Sequence, residues 1–397
     1  MITRQEFPYL QELVINDAYA VKDLRVPVFA PGQDFKHLVL TGRNGSGKTT
    51  VLREINSLWS RPHNTLSSDG KVTDYLNPDK RISIFLKVQV DTESVVNITA
   101  FLGSKKSINS FFEAVRKVQI LDVSSVLRED YMDDRIQDGH PMGNTPAELF
   151  KQYLVNKKVF QVFDAMEGRN EAARQQEKFF IDLEKSFCNI FQDKGLKLEF
   201  VRENFEFYIV HSDGRRITFN QLSAGFSAFL SILMDLLMRV DLLRKQASDY
   251  SYDPCGFVLI DEPETHLHLE MQYQILPLLT NLFPNLQFIV ATHSPAVASS
   301  IKNATVFDLS TGQALGDTAA GSSFSELMQT HFGLENEYSN VADDILEEVT
   351  AISAMPDRAA ALVRLQQLLE EQGRYMSPVL RLDVQAHLLH LQREQAA

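Results

Sequence analysis

Apolar residues in the first 42 positions fall in three short runs, Tyr9 to Ile15, Leu24 to Phe29 and His37 to Gly42, separated by Asn16, Asp17, Pro31 and Gly32. Short apolar and β-branched runs punctuated by turn formers predict strands. Next, Val51, Leu52, Ile55 and Leu58 recur on one helical face, so strand, glycine-rich loop and helix follow in order. Residues 82–102 predict a hairpin turning at the polar Asp-Thr-Glu-Ser segment, part of an antiparallel lobe. From about 104 to 195 the spacing turns helical, in SINSFFEAVRKV, PAELFKQYLV and a longer stretch from Val159 to Phe191. Strands return in LKLEFV, FEFYIVH and RRITF, the last two joined by Ser-Asp-Gly. QLSAGFSAFLSILMDLLMRV then opens an apolar helix. GFVLI and LQFIVAT are almost wholly apolar, as central parallel strands covered on both faces are. Beyond about residue 316 two further helical stripes appear, and no internal repeat is evident.

This order predicts an α/β fold in four parts: residues 1–104 and 196–315 form one head, 105–195 a helical insertion and 316–397 a helical tail. Composition narrows the setting. No apolar run approaches the roughly 20 residues a bilayer needs, so no membrane association is expected. The N-terminus lacks the pattern of a signal peptide and the two cysteines, Cys188 and Cys255, are far apart, so a reducing cytoplasm is the expected location. A net charge of −13 disfavours a surface that is basic throughout and hence broad nucleic-acid binding. The best local basic patch, Lys105, Lys106, Arg116 and Lys117, reads as a solvated helix face.

The chemistry concentrates at three strand ends. Gly42 to Thr49 fits G-x-x-x-x-G-K-[ST], in which glycines let backbone N–H groups curl around phosphate oxygens. Arg43, Asn44, Gly45, Ser46, Gly47, Lys48, Thr49 and Thr50 are thus the expected ATP contacts, with Lys48 on the β and γ phosphates and Thr49 on Mg²⁺. Such a loop needs an acidic partner, and FVLIDE supplies Asp261 for the metal and Glu262 as general base on the attacking water. His293, in ATHSP after the next apolar strand, can donate to the γ-phosphate or hold that water in line. Leu222-Ser223-Ala224-Gly225-Phe226-Ser227 starts a helix, where serine can be merely an N-cap or, with Gly225, part of an anion site.

Taken together, TGRNGSGKTT, LSAGFS, LIDEPETHLHLE and ATHSP resemble the Walker A, signature, Walker B with D-loop, and switch-histidine motifs of ABC ATPases, over residues 9 to 310. DEPETHLHLE and THSP are similar to the RecF, SMC and OLD-like group, whereas a transporter more often shows LSGGQ. The resemblance implies an ABC-type phosphate-loop NTPase head that pairs with a second copy, alone or in a higher homo-oligomer. In that pair Ser223 and Gly225 of one copy would contact the γ-phosphate held by the other. The group's glutamine loop is not placed by sequence, Gln89 and Gln119 both lying in predicted strands. His266 and His268, flanked by Glu264 and Glu270, fit the D-loop better than a metal site. No CxxC marks a zinc hook, the insertion is too short for a coiled-coil arm, and the tail lacks the Asp-x-Asp of a fused nuclease.

That architecture is similar to the ATPase subunits of anti-phage systems such as Septu, certain retrons and PARIS. It implies a separate HNH or TOPRIM-type nuclease partner, with a RecF-like DNA-processing ATPase or a nucleotide-stabilised scaffold as alternatives. The tail stripe at Leu362, Leu365, Leu368 and Leu369 is expected to complete the core of the head, and otherwise to meet a partner.

Overall fold

The computed structural model describes residues 1–18, 20–60, 64–66, 71–74, 82–88, 106–116, 119–138, 146–315 and 340–396. The chain divides into two compact units, Met1–Phe324 and Ser325–Ala397.

The first unit is α/β. Its central sheet runs β14-β13-β3-β12-β11-β7. These strands are β3 (His37–Thr41), β7 (Ile108–Phe112), β11 (Gly256–Asp261), β12 (Leu286–Ala291), β13 (Ala304–Asp308) and β14 (Gln313–Ala314). All neighbours are parallel except the β13–β14 edge pair. Every residue of β3, β11 and β12 is buried, which is why β11 and β12 read as almost wholly apolar. A second, antiparallel sheet runs β2-β1-β6-β5-β4, from β1 (Leu10–Ala18), β2 (Val21–Pro27), β4 (Asn64–Leu66), β5 (Lys71–Asp74) and β6 (Ile82–Val88). Asn16 and Asp17, expected to break β1, lie within it: Asp17 pairs with Lys22 of β2 and Ser83 of β6, and Asn16 falls where the register against β6 shifts. Helix α1 (Lys48–Ser60) shares one core with both sheets: Val51, Leu52, Ile55 and Trp59 pack among Leu13, Ile15, Leu40, Phe257 and Leu259. Trp59 stacks on Phe257 with ring centroids 4.1 Å apart. The rest of the hairpin expected beyond residue 88 lies outside the described residues.

The expected helix over 107–118 is a strand at its start. Ile108–Phe112 pairs in register with Gly256–Ile260, and Gly256 is what lets it dock, since a Cβ there would lie 2.2 Å from the Ile108 carbonyl oxygen. Five apolar-rich residues fit either element by periodicity, and the sheet edge decides. Helices follow: α2 (Glu129–Asp138), α3 (Phe150–Met166) and α4 (Asn170–Ile190). The single long helix expected from Val159 is two, because Gly168 adopts φ +78° and ends α3 in a left-handed cap. A three-stranded antiparallel sheet of β8 (Lys197–Val201), β9 (Glu206–Val210) and β10 (Arg216–Thr218) leads into α5 (Ala224–Ala247). Phe191, at the end of α4, stacks on Phe226 in the first turn of α5, centroids 5.0 Å apart. Helix α6 (Leu269–Leu282) and the short α7 (Pro295–Ala298) follow β11 and β12.

The second unit contains α8 (Asn340–Ser353), α9 (Arg358–Gln372) and α10 (Pro378–Ala396). Leu365 and Leu368 are buried with Ile345, Val349, Ile352, Leu380 and Val384, and Leu362 and Leu369 pack on the same cluster. The stripe expected to complete the head thus builds a core of the tail's own.

Candidate active site

The loop between β3 and α1 turns through three glycines with positive φ, Gly42 at +135°, Gly45 at +80° and Gly47 at +92°. Only glycine holds such angles without strain. At Gly42 space also forbids a side chain, because a Cβ would meet the Ser46 and Ser310 hydroxyls at 2.8 Å. Ser310 follows β13 and accepts a 2.8 Å bond from the Arg43 N–H, while Asp308 accepts from the Ser310 N–H, so β13 braces the loop from the side. Arg43, Asn44 and Gly45 are exposed, Ser46, Gly47, Thr49 and Thr50 are half-buried, and Lys48 is buried. The Lys48 Nζ donates to Gly42 O at 2.9 Å and lies 3.4 Å from His293 Nδ1. Burial lowers its pKa against the pull of Glu262 and Asp261.

Strands β3, β11 and β12 are sheet neighbours, so their C-terminal ends bring residues more than 200 positions apart together. The Thr49 hydroxyl donates to Asp261 Oδ2 at 2.8 Å, across 212 positions of sequence. Asp261 Oδ1 is buried and has no hydrogen-bond partner among the described residues. A buried acceptor left unpaired is costly, and a carboxylate oxygen beside a hydroxyl is a hard-cation donor set. These residues therefore fit a magnesium ion: Thr49 and Asp261 would hold it.

Glu262, next in the chain, adopts φ +48° and places Oε1 3.3 Å from His293 Nε2. Lysine can only donate, so Nδ1 of His293 accepts from Lys48 and its Nε2–H faces Glu262. Burial lowers the His293 pKa, with the Lys48 charge adding to it. Burial first, and then the neighbouring Glu264 and Asp261, push Glu262 up to about 8. Glu264 is buried, and its Oε1 accepts from the Thr292 hydroxyl at 2.6 Å, the His293 N–H at 2.9 Å and the Ser294 N–H at 3.1 Å. It ties the segment after β11 to the segment after β12 and so fixes the His293 backbone.

Ser223 caps α5, its Oγ accepting from the Phe226 N–H, and is exposed; Gly225 is buried. A Cβ at Gly225 would lie 2.3 Å from the His266 carbonyl oxygen, so the glycine permits α5 to pack on the segment that follows Glu262. His266 itself is exposed, at φ +63°.

Sequence reasoning missed Glu264 and Arg116. Arg116 is not on a solvated helix: it follows β7 and donates to the carbonyls of Asp261 at 2.9 Å and Glu262 at 2.8 Å. Of the other patch residues, Lys106 is exposed, and Lys105 and Lys117 lie outside the described residues, as does Gln89. Gln119 lies in irregular chain rather than a strand.

The arrangement has counterparts. The family described as "AAA domain, putative AbiEii toxin, Type IV TA system" matches residues 38–299, from the start of β3 past the His293 segment. The chain belongs to this AAA family. Among its relatives, "Septu protein PtuA" of Bacillus thuringiensis is 23% identical over 370 residues, 88% of this chain and 88% of that protein. "Retron Ec83 probable ATPase" of Escherichia coli is 38% identical over 105 residues, 26% of this chain. The chain spans about a fifth of that retron protein, the match covering 19% of it. Among solved structures, an Smc head bound to the C-winged helix domain of ScpA aligns with 76% of the chain and 94% of its own, at 15% identity and a TM-score of 0.40. As an AAA family member with this loop and these strand ends, the chain is an ATPase-type α/β head, and no helix among the described residues is long and apolar enough to cross a membrane.

Proposed function

We propose that this chain binds and hydrolyses ATP, that two copies close head to head around the nucleotide, and that the closed state controls a separately encoded nuclease in anti-phage defence. What supports the chemistry is one observation: Lys48, Thr49, Asp261, Glu262 and His293 converge at three adjacent strand ends, with Thr49 on Asp261 and His293 between Lys48 and Glu262. What supports the setting is the likeness to a Septu protein over 88% of both chains.

In this reading the glycine loop and Lys48 grip the β and γ phosphates. Glu262 takes a proton from water as the water oxygen bonds to the γ-phosphorus and the bond to the ADP oxygen breaks. His293 donates through Nε2 to the γ-phosphate or the water, and Glu264 holds its backbone for that task. A magnesium ion on Thr49 and Asp261 would neutralise phosphate charge and favour the ionised form of Glu262 beside it. Ser223, exposed at the N-terminus of a 24-residue helix, and Gly225 behind it would meet the phosphate held by a second copy.

Steady-state hydrolysis tests this. Glu262→Gln should lower kcat about 100- to 10,000-fold while ATP still binds, and sedimentation should then show an ATP-dependent dimer that persists. Lys48→Ala should bind no ATP. Wild-type turnover by Glu262→Gln would remove the base assignment, and a sedimentation coefficient indifferent to ATP would remove the closing pair.

A further inference from the structure

We propose that Arg116 is a positioning residue for Glu262, holding the backbone turn that aims the catalytic carboxylate; this rests on reading Glu262 as the general base. The need for it arises from unequal strands. Pairing of β7 with β11 ends at Phe112 opposite Ile260, one residue before β11 itself ends at Asp261. In a parallel ladder the N–H and C=O of one residue face the same neighbour. The Asp261 carbonyl therefore faces the side where β7 has run out, and Arg116 supplies the missing donor through Nη1.

Glu262 poses the opposite problem. Its N–H bonds to Ala291 O of β12 at 2.9 Å, so an extended Glu262 would turn its carbonyl toward β12 as well. At φ +48° the carbonyl swings instead to Arg116 Nη2 at 2.8 Å and to the Thr265 hydroxyl at 2.8 Å. A left-handed glutamate is disfavoured in isolation and persists only where its surroundings compensate. One planar guanidinium bonding two successive carbonyls from two separate nitrogens is such compensation, and a lysine ammonium, a compact donor on a flexible stem, lacks that rigid fork. The same turn is tied to the nucleotide loop's helix: Arg116 also donates to Glu113 O at 2.8 Å, and the Glu113 carboxylate lies 3.2 Å from Arg53 of α1. Arg116 thus joins three things in one contact set: the helix behind the phosphate loop, the connection leading to α2, and the Asp261–Glu262 turn.

The test compares wild type with Arg116→Ala, Arg116→Lys and Glu262→Gln, reading kcat and KM for ATP, anisotropy binding of a fluorescent ATP analogue, and the melting temperature. Arg116→Ala should lower kcat about 10- to 100-fold, because a misplaced catalytic group costs rate rather than affinity. KM and the analogue's Kd should stay within about threefold of wild type, and Arg116→Lys should recover only part of kcat. Wild-type kcat in either arginine variant, with Glu262→Gln inactive, would overturn the inference. So would equal losses in binding and rate, which mark a merely structural role. If Arg116→Ala does not fold, Arg116→Lys decides by the same criteria. Wild-type turnover by Glu262→Gln would instead sink the base assignment beneath the inference, a distinguishable failure.

Discussion

His37 should make the head weaker in mild acid, by an amount the structure sets. The side chain is 4% exposed, and its Nδ1 accepts the Phe288 N–H at 3.1 Å, between the rings of Phe35 and Phe288. Protonation would bury a charge and turn an acceptor into a donor facing a donor. Burial, with a smaller contribution from Arg4, therefore lowers its pKa from 6.5 to about 4. A folded pKa below the unfolded one means the unfolded chain binds the extra proton between those values. Stability is then fully present above 6.5 and is lost as pH falls toward 4. The span corresponds to about 3 kcal/mol, of which roughly 2 kcal/mol is gone by pH 5. Trp59, the chain's single tryptophan, sits in the head core and reports its unfolding without a signal from the tail. Urea titrations followed by Trp59 fluorescence at pH 7 and pH 5 give the loss, and His37→Asn, which keeps an acceptor near Nδ1 but no titrating group, gives the control. Carboxylates titrate in both proteins and cancel in the comparison. The variant, although less stable at pH 7, should lose about 2 kcal/mol less between the two pH values. Equal losses would refute the reasoning.

Two further outcomes follow from packing. Gly225→Ala should destabilise the head by about 1–3 kcal/mol, since its Cβ would overlap backbone at His266, outweighing alanine's helix preference; it should also slow hydrolysis, and a variant as stable and active as wild type would show that the contact yields freely. Leu365→Ala removes a fully buried side chain from the tail core and should cost that unit about 2–5 kcal/mol. Helical circular dichroism should show the loss while the Trp59 midpoint holds, and a shared shift of both would mean the two cores unfold as one.

What the sequence disclosed and what it hid divide along a physical line. The phosphate loop, β11 and β12 were legible because they are local: a glycine pattern fixed by φ, and apolar runs buried on both faces. That Lys48 and Thr49, at the start of α1, meet Asp261, Glu262 and His293 was expected from sequence because the last three stand just at or after the ends of such apolar strands. Strand β7 was not, because what selects it is an edge made by Gly256, almost 150 positions away in sequence. Arg116 was read as solvated because basic neighbours suggest an exposed face, and its true partners are carbonyls, which carry no residue identity to search for. Glu264 was visible only as a flank of His266, although one signal was there: a third carboxylate within four residues of two others must find donors, and it finds Thr292 and the backbone beside His293. The tail stripe misled because an amphipathic helix announces a buried face without naming what covers it.

The placement of β3, β11 and β12 side by side also sets when the proposed site can be complete during synthesis. Lys48 leaves the ribosome 245 residues ahead of His293, and Thr49 precedes Asp261 by 212. Until β12 slots between β3 and β11, an emerging or truncated chain carries a complete phosphate loop with nothing to act on what it binds. On the proposed mechanism, hydrolysis therefore waits for copies long enough to have threaded their own central strand.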